Sequence, residues 1–494
     1  MPVHVTDRSL CVLAVALAVA AGGCMVGPDY ERPQVIEEPA SDYVQAFDKP
    51  AEVEPNLSVG PWWRRFEDPA TVALVERALE HNHDLRAGAA RVLQARAALG
   101  QARGALWPAV SYDLSRDRSK RSFNLGGGVG GGDPNQPSPS GGRFSVLSTT
   151  WSQAISVSYL VDFWGQLRHA EQAALTDLLA ADASQQALVH SIIATVINAR
   201  VEVATLMRRL AIAEANVESR RQILEITERR YEQGLVGPVD VRLARTNLEA
   251  SNAQVPAIAL SLARARHSLA VLAGRRPGPW LDVPAALPDV PGAEVVDVGV
   301  PAALLDRRPD VVAADLSLRA ANERIGVSIA QLYPNLVLTA NFGYTGDRWE
   351  DIWQSYTETY SALINLAQPI FEGGRLRAQV AAAKARYAEL AANYAGTVLT
   401  AIREVEDALA AERLLRRQIE SVRLQLREAE ASEDLARQRY QRGVESILTV
   451  LETERSRLAA EEQVAVLQGQ IWTARVNLHL ALGGDWVEDG IREE

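Results

Sequence analysis

"DLRAGAARVLQARAALGQARGALWP" (Asp84–Pro108) and "DVVAADLSLRAANERIGVSIAQLYP" (Asp310–Pro334) align without a gap at an offset of 226 residues, with Gly100 over Gly326 and an aromatic-Pro pair closing both. A second correspondence lies further on: Tyr231-Glu-Gln-Gly234-Leu-Val matches Tyr440-Gln-Arg-Gly443-Val-Glu at an offset of 209. Self-similarity at long range means that one structural unit occurs twice. The offset shrinks by 17 residues because the first copy carries "NLGGGVGGGDPNQPSPSGG" (124–142), a Gly/Pro/Ser segment that reads as an exposed loop.

Each copy has the same order of parts. A helix of Ala, Arg and Leu ends at the aromatic-Pro pair, where proline biases the preceding residue away from helix. Alternation then takes over. Val110, Tyr112 and Leu114 alternate with Ser111, Asp113 and Ser115, and Ile155, Val157, Tyr159 and Val161 with Ser156 and Ser158. In the second copy Leu336, Leu338, Ala340, Phe342 and Tyr344 alternate with Val337, Thr339 and Asn341, and a partner strand runs from Ser361 to Gln368. Four strands of about ten residues, apolar on one face, fit a half-buried sheet or a membrane β-barrel. Four strands cannot close a barrel in lipid, because an open edge leaves backbone groups unsatisfied, so a membrane crossing requires several chains to share one barrel.

After the strands the chain turns at Phe163-Trp164-Gly165 and at Phe371-Glu372-Gly373-Gly374. Gln166 to Gln233 are 68 residues without Pro or Gly, and Arg375 to Arg442 another 68 with only Gly396. Such helices are about 100 Å long, more than one globular core needs. Leu206, Leu210, Ala213 and Val217 recur at spacings of three and four, as a coiled seam requires. Reversals at Gly234–Pro238 and Gly443–Ser446 send the chain back in second helices that end at Ala273-Gly274 and Leu482-Gly483. Five segments follow: a signal peptide (1–23), an N-terminal extended segment (24–70), a first repeat (71–283), a second repeat (284–483) and a C-terminal tail (484–494).

The N-terminus carries an address. Leu10 to Ala21 is an apolar run of signal-peptide length, too short to span a bilayer. Ala21-Gly22-Gly23-Cys24 resembles a bacterial lipobox, with Ala21 where that box usually has Leu, and makes Cys24 the expected lipid attachment site. Cys11 leaves with the signal, so the mature chain has one cysteine and no intrachain disulfide. One acyl chain holds only marginally, and stable attachment takes several chains or further membrane contact. Aromatic residues make up only 6%, and the net charge of −11 argues against nucleic acid as a partner. No later apolar segment is expected to cross a membrane as a helix.

The order and duplication of these motifs, with "CMVGPDYERP" (24–33), "PWWRRFEDPA" (61–70), "VDFWGQLR" (161–168), "PIFEGGRLRA" (369–378), "RYEQGLVGPVDV" (230–241) and "RYQRGVESILTVLETER" (439–455), resemble the TolC-type outer-membrane factors, most closely the NodT-like lipoprotein branch that serves resistance-nodulation-division pumps. The resemblance covers nearly the whole mature chain. It implies a mainly α protein with a membrane β-barrel: a homotrimer in which each chain gives four strands to one barrel in the outer-membrane lipid, over a long periplasmic α-helical barrel. It implies a passive outer-membrane channel of a tripartite efflux system, lipid-anchored and extending into the periplasm, with a periplasmic adaptor (membrane fusion protein) and an inner-membrane pump as partners.

The resemblance also assigns sites. Tyr231, Gly234, Leu235 and Val236, with Tyr440, Gly443 and Val444, would be the tips that meet the adaptor; as residues alone, the glycines make turns and the tyrosines cap helix packing. Leu448, Glu452 and Arg455 lie at spacings of four and three on one helix face. By resemblance that face lines a periplasmic gate, with a leucine constriction, a ring of acids and an arginine that holds neighbouring helices shut. Asp240 would join the same network. As residues alone, Glu452 and Arg455 are equally an ordinary helix-surface pair.

Enzyme chemistry is not expected. His81 and His83 are two apart and do not share a helix face, and His169, His190, His267 and His479 stand without ligand spacing around them. Gly126 to Gly132 lacks the Lys-Ser/Thr of a phosphate loop. No catalytic, metal or cofactor-binding residue is assigned. Two other readings of the chain are a periplasmic adaptor, which predicts one hairpin with β-rich flanks, and a coiled-coil lipoprotein without a pore, which leaves the four alternating strands unexplained.

Overall fold

The computed structural model describes residues 25–35, 62–66, 68–124, 143–278 and 307–484. Cys24, the signal peptide, most of the Gly-rich loop, residues 279–306 and the tail after 484 lie outside them. In chain order the elements are α1 (Pro69–His81), α2 (His83–Gly104), β1 (Ala109–Asn124), β2 (Arg143–Val161), α3 (Gln166–Glu232), α4 (Pro238–Leu272), α5 (Pro309–Ala330), β3 (Asn335–Gly346), β4 (Glu358–Ala367), α6 (Arg375–Gln441) and α7 (Ile447–Ala481). The two halves match in length element by element: α2 and α5 have 22 residues, α3 and α6 have 67, and α4 and α7 have 35.

Contacts divide the chain into two compact units, each drawing on both repeats: residues 1–31, 95–177 and 318–389 in one, and 32–94, 178–317 and 390–494 in the other. The first holds an antiparallel meander in the order β1-β2-β3-β4. Its register aligns the four alternating patterns on one face: Tyr112 stands opposite Ile155, Ile155 opposite Phe342, and Phe342 opposite Tyr360. Val110, Val157, Ala340 and Ala362 follow one step nearer the helix-bearing end. The other face carries Ser111, Ser156, Asn341 and Ser361. Both edge strands, β1 and β4, are exposed along nearly their whole length.

Strand length departs from the sequence expectation. β1 and β2 run for 16 and 19 residues rather than about ten, because pairing continues past the apolar stretch through Arg118↔Thr149 to Asn124↔Arg143. The β2-β3 ladder stops at Trp151↔Gly346, so the first hairpin projects beyond the sheet as a two-stranded ribbon. Aromatic residues mark both ends. Trp151, Trp349 and Trp353 cluster beside the hairpins with centroids 5.1 and 6.1 Å apart. At the helix-bearing end, Trp164 stacks on Tyr333 at 4.6 Å and donates to the Pro334 carbonyl at 3.0 Å.

The motifs at that end have local causes. Asp162 accepts from the backbone N–H of Leu167 and Arg168 at 3.0 and 2.9 Å, capping α3 after the turn at Gly165. The N-terminal segment is tied down here: Val26 donates to the Trp164 carbonyl at 3.2 Å, and Asn322 donates to the Pro28 carbonyl at 2.8 Å. Gly27 reaches Gly326 closely because neither carries a side chain, while His169, bonded to Glu323 at 2.6 Å, fills the space beside them.

The second unit is helical. Its main core joins Val75 and Ala78 of α1, Ile193, Val196, Ile197 and Val201 of α3, Leu262 and Leu269 of α4, and Trp472 and Val476 of α7. Asn82 breaks the chain between α1 and α2, accepting from the N–H of Asp84 and Leu85 and donating to the Leu272 carbonyl at 2.9 Å. The expectation that no later helix is apolar enough to span a bilayer needs correction: α3 and α4 each contain a window long and apolar enough to do so. In α3 half of that window is buried within the chain, and Ile192 to Val203 supply much of the core. Coiled-seam packing therefore explains its apolarity.

Candidate gate and hairpin tips

Both hairpins reverse by the same device. At the first, α3 ends and Gly234 takes φ 71°, with Gly234 N–H bonded to Tyr231 O at 2.9 Å and Leu235 N–H to Arg230 O at 2.9 Å. At the second, Gly443 takes φ 80°, with Gly443 N–H bonded to Tyr440 O at 3.0 Å and Val444 N–H to Arg439 O at 3.1 Å. This is the paired helix-ending motif that satisfies the last free carbonyls, and it needs a left-handed residue. The return helices start differently. Pro238 sits at the first position of α4 behind Gly237, whereas Ser446 caps α7 by accepting from Thr449 N–H at 3.3 Å.

The tip side chains divide into two groups. Tyr231, Leu235 and Val444 are exposed. Tyr440 is only 3% exposed and belongs to the packing between hairpins, so its ring is not available to a partner in this chain. Its hydroxyl lies 3.1 Å from Thr227 Oγ1, the Arg230 guanidinium stands 4.5 Å from its ring centre, and Arg230 also donates to its carbonyl. Arg230 thus ties the first tip to the second. Sequence reasoning missed it, although Arg precedes Tyr in both copies (Arg230-Tyr231 and Arg439-Tyr440). The equivalent Arg439 instead reaches Glu445 at 3.3 Å.

On α7, Leu448, Glu452 and Arg455 form one exposed face, while Ile447, Val450, Leu451 and Glu454 are buried on the other. Arg455 donates to Glu452 within the helix at 2.8 Å. Asp240 stands in the first turn of α4, half-buried, and no hydrogen bond or ion pair joins it to Glu452 or Arg455 among the described residues.

Behind this face lies a charged layer that the sequence reading did not assign. The Glu454 carboxylate is fully buried, 3.4 Å from Arg220, which also donates to the Asn247 carbonyl at 2.8 Å. Burial pushes the Glu454 carboxyl up, against the pull of Arg220. Glu433 of α6 pairs with Arg457 of α7, Arg457 reaches Glu461 at 2.7 Å, and Arg437 donates to Ser219 Oγ at 2.7 Å. The layer links α3, α4, α6 and α7. A signal was present: Glu454 occupies the buried spacing of Ile447, Val450 and Leu451, where an apolar residue is expected.

No group of three His, Cys, Asp or Glu side chains that could hold a metal occurs among the described residues. His479 stacks on Trp62 at 5.4 Å, and His169 serves the N-terminal clamp.

A four-stranded sheet with one continuous apolar face and aromatic ends, joined to two matched pairs of very long helices, defines a helical-hairpin membrane protein. The profile of the outer membrane efflux protein family matches residues 74–275 and 300–484, and the chain belongs to that family. It is 32% identical over 486 residues to the pyoverdine export outer membrane protein OpmQ of Pseudomonas putida, covering 98% of each chain. It is 31% identical over 493 residues to the toluene efflux pump outer membrane protein TtgF of Pseudomonas putida, covering 96% of each. The solved outer-membrane channel OprN superposes with a TM-score of 0.80 at 29% identity, over 93% of this chain and 99% of that one. This chain is accordingly an efflux protein of the bacterial outer membrane.

Proposed function

We propose that three copies of the chain form one passive exit duct, which receives solute from an inner-membrane pump through a periplasmic adaptor and releases it outside. The observation that carries this reading is the open sheet. In the rows of Ala340 and Phe342 its apolar face crosses all four strands from β1 to β4, yet both edges expose backbone groups that lipid cannot satisfy. Pairing β1 of one copy with β4 of the next removes every edge. On β3 the apolar face from Leu336 to Tyr344 covers about 27 Å along the strand, or about 20 Å in height at ordinary barrel tilt, near the roughly 25 Å band of outer-membrane barrels.

The helices support the same closure. In the sheet-bearing unit α5 buries Leu318, Ala320, Ala321, Ile325 and Ala330, and contacts the start of α3 through Glu323 with His169 and Arg324 with Asp177. Its counterpart α2 buries only Leu99 from Ala95 to Gly104, and the start of α6 from Arg375 to Glu389 buries nothing. If the two halves descend from one duplicated unit, α2 packs on α6 as α5 packs on α3, and the missing partner is supplied by a neighbouring copy.

The exposed Tyr231, Gly234, Leu235, Gly443 and Val444, with the half-buried Val236, are the surface offered to the adaptor. Leu448, Glu452 and Arg455, with Asp240 from the other hairpin, line the periplasmic constriction, where Arg455 exchanges its own-helix partner for one on a neighbouring helix. Val26 is bonded beside the Trp164–Tyr333 pair, at the level where outer-membrane proteins place interfacial aromatics. An acylated Cys24 two residues earlier would enter the inner leaflet there. Relatives named for pyoverdine export and for toluene efflux match at nearly equal identity, so similarity does not assign a cargo to this chain.

Edge pairing is tested by cysteine cross-linking in a Cys11→Ser/Cys24→Ser background, which leaves no other thiol in the chain. Ser111→Cys on β1 is combined in turn with Thr359→Cys, Ser361→Cys and Asn365→Cys on β4. Oxidation of membrane-inserted protein is expected to give a ladder ending at three linked chains for one partner position. Linkage confined to single chains would contradict the shared barrel.

A further inference from the structure

From the outward face of the first hairpin, we propose that Arg116, Arg118 and Lys120 form a docking stripe for the phosphate groups of the phosphorylated glycolipid in the outer leaflet. The inference rests on the reading that the sheet spans the outer membrane with its hairpins outside. Strand alternation places Val110, Tyr112, Leu114, Arg116, Arg118 and Lys120 on a single face of β1. That face is apolar up to Leu114 and cationic from Arg116 to Lys120. The change falls at the aromatic belt, since Arg116 pairs in register with Trp151 and its guanidinium stands 5.1 Å from that ring centre. Trp151 in turn packs on Trp349.

Height, direction and charge agree. Every helix in the sheet-bearing unit joins the sheet at the end opposite the two hairpins, so with the helices in the periplasm the ribbon points outward. From Arg116 to Lys120 is about 13 Å along the strand, or about 10 Å in height, which spans the headgroup layer above the hydrocarbon. The cations continue the lipid-type face rather than the face of Ser, Thr and Asn, so they meet headgroups and not the pore. All three are exposed, and neither Arg118 nor Lys120 has an acidic partner among the described residues. The acids at this end are Asp117 on the opposite face of β1, Asp347, Glu350 and Asp351 in the second hairpin, and Glu358 at the start of β4, which shares the face but stands in the row of Leu114, below the stripe. Four cations and one acid between Arg116 and Arg121 also run against a chain whose net charge is −11. Guanidinium forks match phosphate oxygens in pairs, and same-face residues about 6.6 Å apart let neighbouring side chains serve one bisphosphorylated headgroup.

The test measures binding of bisphosphorylated lipid A to detergent-solubilised protein whose insertion into bilayers has first been verified, which separates failure of this inference from failure of the membrane reading. Arg118→Gln/Lys120→Gln is expected to bind about 30-fold more weakly than wild type, about five-fold for each cation removed. Arg118→Lys/Lys120→Arg and Arg121→Gln, on the opposite face, are expected to bind as wild type does. Dephosphorylated lipid should bind no better to wild type than to the double variant. Equal binding by wild type and the double variant, equal binding of dephosphorylated lipid, or full displacement by millimolar inorganic phosphate would overturn the proposal.

Discussion

Gly343→Val is expected to abolish accumulation of the protein in the outer membrane. Gly343 faces Ala154 in the β2-β3 ladder, and a Cβ there would lie 2.0 Å from the Gln153 carbonyl oxygen and 2.7 Å from the Ala154 Cα. Both are backbone atoms, so no rotamer change relieves the contact and the strands must separate. Gln153 cannot yield easily either. It is buried, accepts from the Tyr112 hydroxyl at 3.0 Å and donates to the Ile352 carbonyl at 3.1 Å, joining β1 and β2 to the second hairpin. Overpacking against mobile side chains costs about 1–3 kcal/mol. Against backbone the upper end applies in each chain, and under the proposed sharing of one barrel every copy meets the cost. The check is the amount of protein in outer-membrane fractions, where a loss of at least about ten-fold is expected from that cost. The next glycine on β3, Gly346, is the control: a Cβ there would lie 3.1 Å from the Asp351 Cβ and at ordinary contact distance, 3.5 and 3.6 Å, from the nearest backbone atoms, so Gly346→Ala should accumulate normally.

Glu412→Ala is the second large effect, and it acts within the helical unit. Glu412 on α6 is 2% exposed and accepts from Arg416 at 3.0 Å and from Arg475 of α7, itself 5% exposed. Removing the carboxylate strips the main anion from a buried guanidinium, a class of change that costs about 3–5 kcal/mol. Exchange of both partners for apolar residues of similar volume is often neutral or stabilising. Glu412→Ala should therefore lower the thermal midpoint of the solubilised protein by several degrees, and Glu412→Leu/Arg475→Met should restore most of it. A double variant as unstable as the single one would show that specific charge contacts, rather than an uncompensated charge, hold α6 to α7.

Much of this architecture is legible in the sequence because its parts are extreme. Two proline-free runs of 68 residues leave little choice but long helices, and the glycines at 234 and 443 mark reversals because only glycine takes the left-handed turn at low cost. The four alternating segments fall in register on one face of the sheet. The ribbon beyond Trp151 was not legible, since after Leu114 alternation between apolar and polar gives way to charged residues that pair as strands all the same.

The candidate site was legible on its exposed side and hidden on its buried side. Spacing alone puts Leu448, Glu452 and Arg455 on one face, and the structure leaves all three exposed. It does not say that two tyrosines in equivalent motifs differ, with Tyr231 outside and Tyr440 buried beneath Arg230. That asymmetry arises from the packing of one hairpin on the other, which no local pattern encodes. The charged layer around Glu454 was missed because abundant Glu and Arg on long helices usually mark solvated faces.

The account is tested most directly by single-channel conductance in planar bilayers, comparing wild type with Glu452→Ala and Arg455→Ala. It predicts rare, small openings for wild type, and larger or more frequent ones once the acid or the arginine at the constriction is removed. Silence from all three proteins, with trimers verified in the membrane, would contradict the duct and leave the long helices as a scaffold.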